Sequence, residues 1–367
     1  MKDLKHLIYF EELLSEANNA LVKQATADGK KALGYTCYFV PEVLLNLGGC
    51  FSVRLRAPGT SNTDIGTYYM TNKTCPFTRS ILERSMEGGY NFLSAMLSSE
   101  TCQMMHRAHE YFDIMGLVKE QNPDFFLSMM DVPFVTTKAA YEHYENQLRK
   151  HILEPLEKVC GVDISDKAIR AAIEEHNDIC GIISELGELR KLPNPPITSY
   201  EFHVLQLVSE CCPQYLIKDK LLETLKEVRK RKVDPKPNYR ARLVVTGSEV
   251  DDPVFTKLLE DCGVYVVADR YCYGSFPGRQ EIVLNDAEPA LDQICRFYQE
   301  TSQCPRYMSQ DKVHGRYDFV DKLAKEYNAQ GIIYEQMKFC EFWGYERALA
   351  SHVMTELYNY PTVCVDR

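Results

Sequence analysis

The spacing of hydrophobic positions changes several times along the chain, and each change predicts a different element. Over residues 3–28 apolar residues recur every three or four positions, which is typical of an amphipathic helix. Further along, short apolar runs alternate with helical stretches, as in parallel sheets whose strands are buried on both faces. In the first half we predict strands over 32–37, 50–55, 92–97 and 125–129, and helices over 42–47, 76–87, 102–114 and 136–158.

The second half shows the same alternation after a long helical region. We predict strands over 242–246, 264–268, 331–334 and 362–365, and helices over 253–262, 319–327 and 343–357. Strands that alternate with helices imply parallel sheets with right-handed crossovers. The chain is therefore predicted to be an α/β protein in three parts: residues 1–160 with an N-terminal helix and a first α/β domain, 161–234 with helices and a polar, proline-broken linker, and 235–367 with a second α/β domain.

Composition and charge restrict the class of protein. With 45% hydrophobic and 26% charged residues, the chain has the profile of an ordinary globular protein. A net charge of −10 argues against nucleic acid as the main partner, because phosphate binding requires a basic surface. No apolar run is long enough for a transmembrane helix, and the first residues lack the apolar core of a secretory signal. These features predict a cytoplasmic protein without a membrane partner, whose cysteines are reduced thiols.

The fourteen cysteines carry the clearest sign of chemistry. Six lie in predicted loops or at strand ends, and the other eight are predicted to be small buried hydrophobic residues: Cys50, Cys160, Cys180, Cys211, Cys212, Cys262, Cys295 and Cys364. Among the six, Cys102 and Cys340 follow apolar runs, where α/β sheets bind ligands, and Cys75 precedes a proline. Three thiolates are one fewer than the usual four of an iron–sulfur cluster, so one iron would remain free for another ligand. The absence of a Cys-x-x-Cys pair argues against structural zinc and a thioredoxin-like dithiol.

Two loops are predicted to contribute further binding residues. The first, Gly247–Pro253, joins a strand to a helix, and Asp252 is placed to cap that helix. Its Ser248 and Glu249 are expected to line a cleft, although three carboxylates in this loop oppose binding of an anion. The second, Asp269–Arg279, combines glycines, aromatic residues and charges at a strand end, as binding loops commonly do.

Within this second loop Arg270, Cys272 and Gly274 are the candidates for contacts with a cofactor, and an ordinary surface loop is the alternative. No nucleophile motif or acidic metal cage stands out, so the catalytic residue is not identified. Glu100 and His106 are weak candidates. His106 would act as a proton donor near Cys102, or would be a partly exposed helix histidine without a catalytic role.

Taken together, these segments resemble the 2-hydroxyacyl-CoA dehydratase and benzoyl-CoA reductase family. The similarity covers most of the chain and includes Gly34–Glu42, Cys75-Pro76-Phe77, Glu100-Thr101-Cys102, Gly247–Pro253, Val266–Gly274 and Lys338-Phe339-Cys340. It implies two flavodoxin-like (Rossmann-like) domains with additional helices. It also implies a [4Fe–4S] cluster held by three cysteines, carried here to Cys75, Cys102 and Cys340.

The resemblance further implies an acyl-CoA substrate, a homologous second subunit in a heterodimer or larger assembly, and an ATP-dependent activator protein that delivers one electron. In the dehydratases that electron makes a ketyl radical anion at the thioester carbonyl. The 2-hydroxyl group then leaves, the 3-proton is removed, and the electron is returned. In the benzoyl-CoA reductases the electrons stay in the reduced product.

We predict the iron–sulfur subunit of a dehydratase, and three alternatives stay open. The chain could belong to a reductase of aromatic or unsaturated acyl-CoA, serve as an electron relay, or carry a double-cubane cluster with Cys37, Cys272 and Cys304 as extra ligands. Against the last, a cysteine expected between Cys75 and Cys102 is absent. Coenzyme A phosphates are expected near Arg270, Arg279, Lys338 or none of these. Family members usually continue past the last strand, so the end at Arg367 predicts a missing tail or a short form.

Overall fold

Two parallel sheets organise the molecule. The computed structural model describes residues 2–58, 60, 62–233, 238–275 and 280–367. Each sheet has four strands, in the orders β2-β1-β3-β4 and β6-β5-β7-β8. The strands are β1 (Lys31–Tyr35), β2 (Cys50–Arg54), β3 (Ala95–Ser99), β4 (Phe126–Met130), β5 (Ala241–Gly247), β6 (Val264–Tyr271), β7 (Gly331–Gln336) and β8 (Thr362–Asp366). Both sheets thus have the first four positions of the flavodoxin-like strand order, and the predicted α/β fold is confirmed.

The helices of the first half flank the first sheet. They are α1 (Leu7–Leu14), α2 (Ala20–Ala27), α3 (Glu42–Leu45), α4 (Asp64–Met70), α5 (Pro76–Met86), α6 (Gln103–Ile114), α7 (Lys138–Leu148) and α8 (Glu154–Cys160), with a π-helical segment at Arg149–Leu153. The single helix predicted over 3–28 is wrong, because the chain breaks before α2. There the side chain of Asn19 accepts hydrogen bonds from the N–H groups of Leu21 and Val22 and caps the new helix. The third strand begins three residues later than predicted.

The middle region is helical, as predicted, with α9 (Asp166–Glu188), α10 (Ser199–Cys211) and α11 (Gln214–Lys230). Helix α10 contacts β2 of the first sheet and β6 of the second, and all its residues except Tyr200 are buried. Several of its buried polar side chains have partners outside the helix; Glu210, for example, pairs with Arg54 at 3.1 Å. Because a buried charge requires such a partner, these pairs fix α10 between the two sheets.

The second half contains α12 (Val254–Asp261), α13 (Ala290–Glu300), α14 (Gln310–Glu326) and α15 (Glu341–Glu356). Helix α13 was not predicted, and it packs against α7 and α9 in the same hydrophobic cluster as β1 and β3. The chain thus returns to the first sheet between β6 and β7. The predicted domain boundaries stay a prediction, and residues 234–237 of the predicted linker lie outside the described residues. Of the helices described here, none is long and apolar enough to cross a membrane.

Candidate functional site

A cavity of about 210 Å³ lies where the carboxyl ends of the two sheets meet. Its walls include residues after β1 and β3 of the first sheet and after β5 and β7 of the second, such as Cys37, Cys102, Ser248 and Cys340. Strands β1 and β3 are the two inner strands of the first sheet, and β5 and β7 are those of the second. From the two inner strands of each sheet the chain crosses to opposite sides. Open α/β sheets bind ligands at this switch point. The topology therefore brings two such positions together around one cavity.

Three of the cysteines in the wall directly precede helices. Cys75, Cys102 and Cys340 are the N-cap residues of α5, α6 and α15. The positive end of a helix dipole favours a negative charge at that position. All three predicted metal ligands thus lie at one cavity, each beside a helix N-terminus.

Burial raises the pKa of each of these thiols. The pKa of Cys75 is raised to about 12, first by burial and also by the neighbouring Cys102. The pKa of Cys340 lies well above its ordinary value, because of burial and because of the charges that Cys75 and Cys102 would carry. Backbone amides at the helix starts, such as those of Thr78 and Trp343, act in the opposite direction. A bound metal would have to displace these protons, since thiolates are the ligating form.

The donor set suits a cluster better than a single ion. Among the residues that the structure describes, no three His, Cys, Asp or Glu side chains converge closely enough to bind one metal ion. A [4Fe–4S] cluster does not require that convergence, because each cysteine binds a different iron atom. The cavity volume is several times the space of about 30 Å³ that one water molecule occupies in the liquid. Cys75, Cys102 and Cys340 therefore fit the three-cysteine arrangement that the resemblance implies.

Three more cysteines line the same cavity: Cys37, Cys272 and Cys304. Burial raises the pKa of Cys304 to about 12, and the charge that Cys37 would carry contributes to this shift. All six loop cysteines are thus gathered at one place. Of the eight predicted to be buried, five are buried and Cys160 is half-buried, while Cys262 and Cys364 are exposed, so the prediction is wrong for these last two. Cys262 follows the last residue of α12, and Cys364 lies in β8, the edge strand of the second sheet.

Ser248 and Glu249 occupy the cavity wall with different roles. Ser248 is fully buried; its hydroxyl donates to Glu335 Oε2 at 2.8 Å and accepts from the Met337 N–H at 2.6 Å. It thereby joins the loop after β5 to the loop after β7. Burial raises the pKa of Glu249 to about 7, against the opposing charge of Arg54. The Oε2 atom of Glu249 is buried without a hydrogen-bond partner among the described residues.

Arg270 lines the cavity but is engaged in a buried network. Its guanidinium donates to Thr246 Oγ1 at 2.8 Å and to the Gln303 carbonyl at 2.6 Å, and it pairs with Glu346 at 3.2 Å. The remaining predicted contacts lie elsewhere. Lys338 is exposed and outside the cavity lining, while Arg279 lies outside the described residues.

Glu100 and His106 are not among the residues that line the cavity. The His106 side chain is 31% exposed, with Nε2 3.5 Å from Glu110 Oε1 and Nδ1 4.0 Å from Glu100 Oε1. These contacts are typical of a helix surface. A catalytic role for either residue stays a prediction, and the geometry gives it no support.

Gly274 lies beside the cavity, and its position leaves no room for a side chain. A Cβ atom there would lie 2.5 Å from Asp269 Oδ2 and 2.7 Å from the Tyr271 ring. Asp269 cannot easily move, because it pairs with Arg190 at 3.0 Å. The glycine is thus required for close packing of the loop after β6.

We expect Gly274→Ala to destabilise the protein by about 1–3 kcal/mol, as overpacking usually does. Thermal unfolding of this variant should be compared with Gly315→Ala. Gly315 lies on the exposed side of α14, and a Cβ atom added there would have no neighbouring atom within 4 Å, so alanine should be neutral or stabilising. A melting temperature of Gly274→Ala equal to that of Gly315→Ala would contradict the packing argument.

Sequence reasoning missed several residues of the cavity wall, above all Arg54 and Arg306. Arg54 ends β2, a strand in which no site residue was predicted. Arg306 follows Cys304-Pro305, the same Cys-Pro pair that drew attention to Cys75. The repeated Cys-Pro pair was the one sequence signal that indicated this part of the cavity wall.

Comparison with known proteins gives consistent results. The family described as "2-hydroxyglutaryl-CoA dehydratase, D-component" matches residues 37–367. The chain is 23% identical over 341 residues to the (R)-phenyllactyl-CoA dehydratase β subunit of Clostridium sporogenes, covering 90% of this chain and 85% of that protein. It is 24% identical to the (R)-2-hydroxyglutaryl-CoA dehydratase β subunit of Acidaminococcus fermentans, covering 92% and 89%. Identity to a benzoyl-CoA reductase subunit of Thauera aromatica is 22%, covering 85% and 79%.

Proposed function

The chain belongs to the 2-hydroxyglutaryl-CoA dehydratase D-component family, and we propose that it is the iron–sulfur subunit of an activator-dependent 2-hydroxyacyl-CoA dehydratase. The predicted resemblance is thereby confirmed, and so is the prediction of an enzyme of the dehydratase or benzoyl-CoA reductase type. The observation that carries the finer proposal is the meeting of Cys75, Cys102 and Cys340 at one cavity, each at the start of a helix.

In this proposal Cys75, Cys102 and Cys340 hold a [4Fe–4S] cluster. When bound, the cluster would supply one-electron transfer at low potential. The three helix starts favour the thiolate form of their cysteines, and so help to hold an anionic group in a buried place. Buried apolar side chains of the wall, such as Phe77 and Met337, keep water from the acyl group.

Glu249 is the residue proposed to exchange a proton with the acyl-CoA. Its carboxyl lies in the cavity wall, and its buried Oε2 has no hydrogen-bond partner among the described residues, so this oxygen lacks the partner that a ligand in the cavity would supply. Dehydration needs such a group, because a hydroxyl leaves and a carbon-bound proton is removed. Ser248 anchors the loop that carries Glu249 by its bond to Glu335, and the charge of Arg54 favours the carboxylate form of Glu249.

The proposal includes partners. Two of the relatives are named as β subunits of dehydratases and a third as a subunit of a reductase, which supports a homologous second subunit for this chain. It further includes an ATP-dependent activator that delivers the electron, and an acyl-CoA substrate. We also propose that the protein is located in the cytoplasm.

A second candidate is favoured by the three additional cysteines. Cys37, Cys272 and Cys304 line the same cavity as the first three, so the wall offers six thiols. Two linked cubane units could take three thiolates each, which would make the chain a double-cubane reductase subunit or an electron relay. In that case the iron content would be about twice that of one [4Fe–4S] cluster.

Metal content and product together test these proposals. The chain is purified without oxygen, together with its partner subunit, and iron and acid-labile sulfide are measured per chain. About four of each per chain is expected for the first proposal, and about eight for the second. With activator, ATP and a 2-hydroxyacyl-CoA, the dehydratase should release enoyl-CoA without net reduction. A product reduced by two electrons would instead indicate the reductase type, and absence of iron would contradict both proposals.

A further inference from the structure

Arg306 differs from the other arginines of the cavity wall in its lack of polar partners. It lies between α13 and α14, and its Nε and Nη1 atoms are buried with no hydrogen-bond partner among the described residues. Arg54 and Arg270 face the same cavity, but each has a buried glutamate partner, Glu210 and Glu346. Among the described residues, the charge of Arg306 is therefore not paired with a carboxylate, as the charges of Arg54 and Arg270 are.

The position of the Arg306 guanidinium is nonetheless fixed. It stacks over the rings of Phe134, at 4.4 Å, and Phe342, at 4.2 Å. Phe134 follows β4 of the first sheet and Phe342 belongs to α15 of the second, so both halves of the molecule hold the cation. The backbone on either side is also anchored, since the Gln303 carbonyl accepts from Arg270 and the Tyr307 carbonyl accepts from Arg316.

A cation held in this way is preorganised to bind an anion. Aromatic faces attract a guanidinium but do not accept its in-plane N–H groups, and a buried donor without an acceptor is costly. Arg306, Glu249 and Cys102 all line the same cavity. A ligand that reaches Cys102 meets a carboxyl and a cation with free N–H groups.

We propose that Arg306 binds a negatively charged oxygen of the acyl group of a bound thioester. Two sources share this chemistry: a carboxylate at the end of the acyl chain, or the thioester oxygen as it gains negative charge during the reaction. The proposal rests on the proposed function, because it takes an acyl-CoA as the occupant of the cavity.

Binding of two unreactive esters separates the two sources. Glutaryl-CoA and pentanoyl-CoA have the same chain length and differ by the terminal carboxylate. Isothermal titration of the complete enzyme gives the dissociation constant of each ester for the wild type, Arg306→Gln and Arg306→Lys. The matched control is Arg229→Gln, which removes an exposed arginine on α11, away from the cavity. If the source is a carboxylate, Arg306→Gln should weaken the binding of glutaryl-CoA by about 10- to 100-fold and leave the binding of pentanoyl-CoA unchanged.

If the source is the thioester oxygen, binding of both esters should be unchanged. Turnover of a 2-hydroxyacyl-CoA by Arg306→Gln should then fall about 10²–10³-fold in kcat with little change in KM, and lysine should restore part of it. Unchanged binding and unchanged kcat would overturn the proposal. Equal weakening of the binding of both esters would also overturn it. So would a loss of kcat that is fully explained by a change in the midpoint potential of the cluster. If the wild type binds no acyl-CoA and turns over no 2-hydroxyacyl-CoA, the proposed function itself fails and this assignment fails with it.

Discussion

Alanine in place of Cys75, Cys102 or Cys340 is expected to remove the proposed iron–sulfur cluster and with it all turnover. Each cysteine is the N-cap of a different helix, so no neighbouring thiol can take the position of the one removed without moving a helix start. Two thiolates leave two irons of a cubane without protein ligands, and such a cluster is not expected to survive purification. Activity should fall below detection in all three variants.

The measurements are iron, acid-labile sulfide and visible absorbance of the anaerobic enzyme, beside its dehydration rate. Cys262→Ala is the matched control, because Cys262 is exposed at the end of α12 and outside the cavity lining. It should retain wild-type iron and activity. Retention of full iron in any one of the three variants would remove that cysteine from the ligand set. Parallel variants of Cys37, Cys272 and Cys304 test the second candidate, since loss of about half the iron would then be expected.

Much of the fold could be predicted because its signals are local. Each strand is a short apolar run bounded by polar residues, and the alternation with helices is sufficient to predict parallel sheets. The errors have local and long-range causes. The side chain of Asn19 divides the predicted first helix by capping α2, a choice that also depends on its bond to the Cys211 carbonyl far along the chain. Helix α13 does carry a local signal, since Leu291, Ile294 and Tyr298 recur at helical spacing, but its packing against α7 and α9 of the first half could not be predicted from its own segment.

The thiols of the candidate site were predictable, and so was the presence of Glu249 and Arg270, but the protonation states and pairing of its charged groups were not. Residues at the carboxyl ends of strands meet wherever the sheets place their switch points, so the six loop cysteines could be selected from position alone. The state of Glu249 depends on burial, on Arg54 and on Asp251, which only the folded chain brings together. The isolation of Arg306 is likewise a property of the surrounding fold, since it depends on which carboxylates lie out of reach. Sequence patterns locate chemical groups, whereas their pKa values and unmet hydrogen bonds arise from packing.

Glu249→Gln is the second replacement with a large expected effect. Glutamine keeps the size and the planar shape of the side chain, but its amide cannot take up or release a proton as the carboxyl group does. If Glu249 exchanges a proton with the acyl-CoA, kcat should fall about 10²–10⁴-fold, the usual contribution of general acid–base catalysis. Iron content should stay at the wild-type level, because the variant leaves all six cysteines of the wall in place.

The matched control is Asp252→Asn in the same loop. Asp252 Oδ1 accepts from the Val254 N–H at 2.9 Å and does not line the cavity, so asparagine can accept the same hydrogen bond and activity should change little. A second readout distinguishes proton transfer from a structural role: exchange of the substrate's 3-hydrogen with deuterium from solvent should fall in parallel with kcat. Loss of turnover with iron content also lost would assign Glu249 to cluster binding. Full turnover in Glu249→Gln would place the proton transfer on another residue.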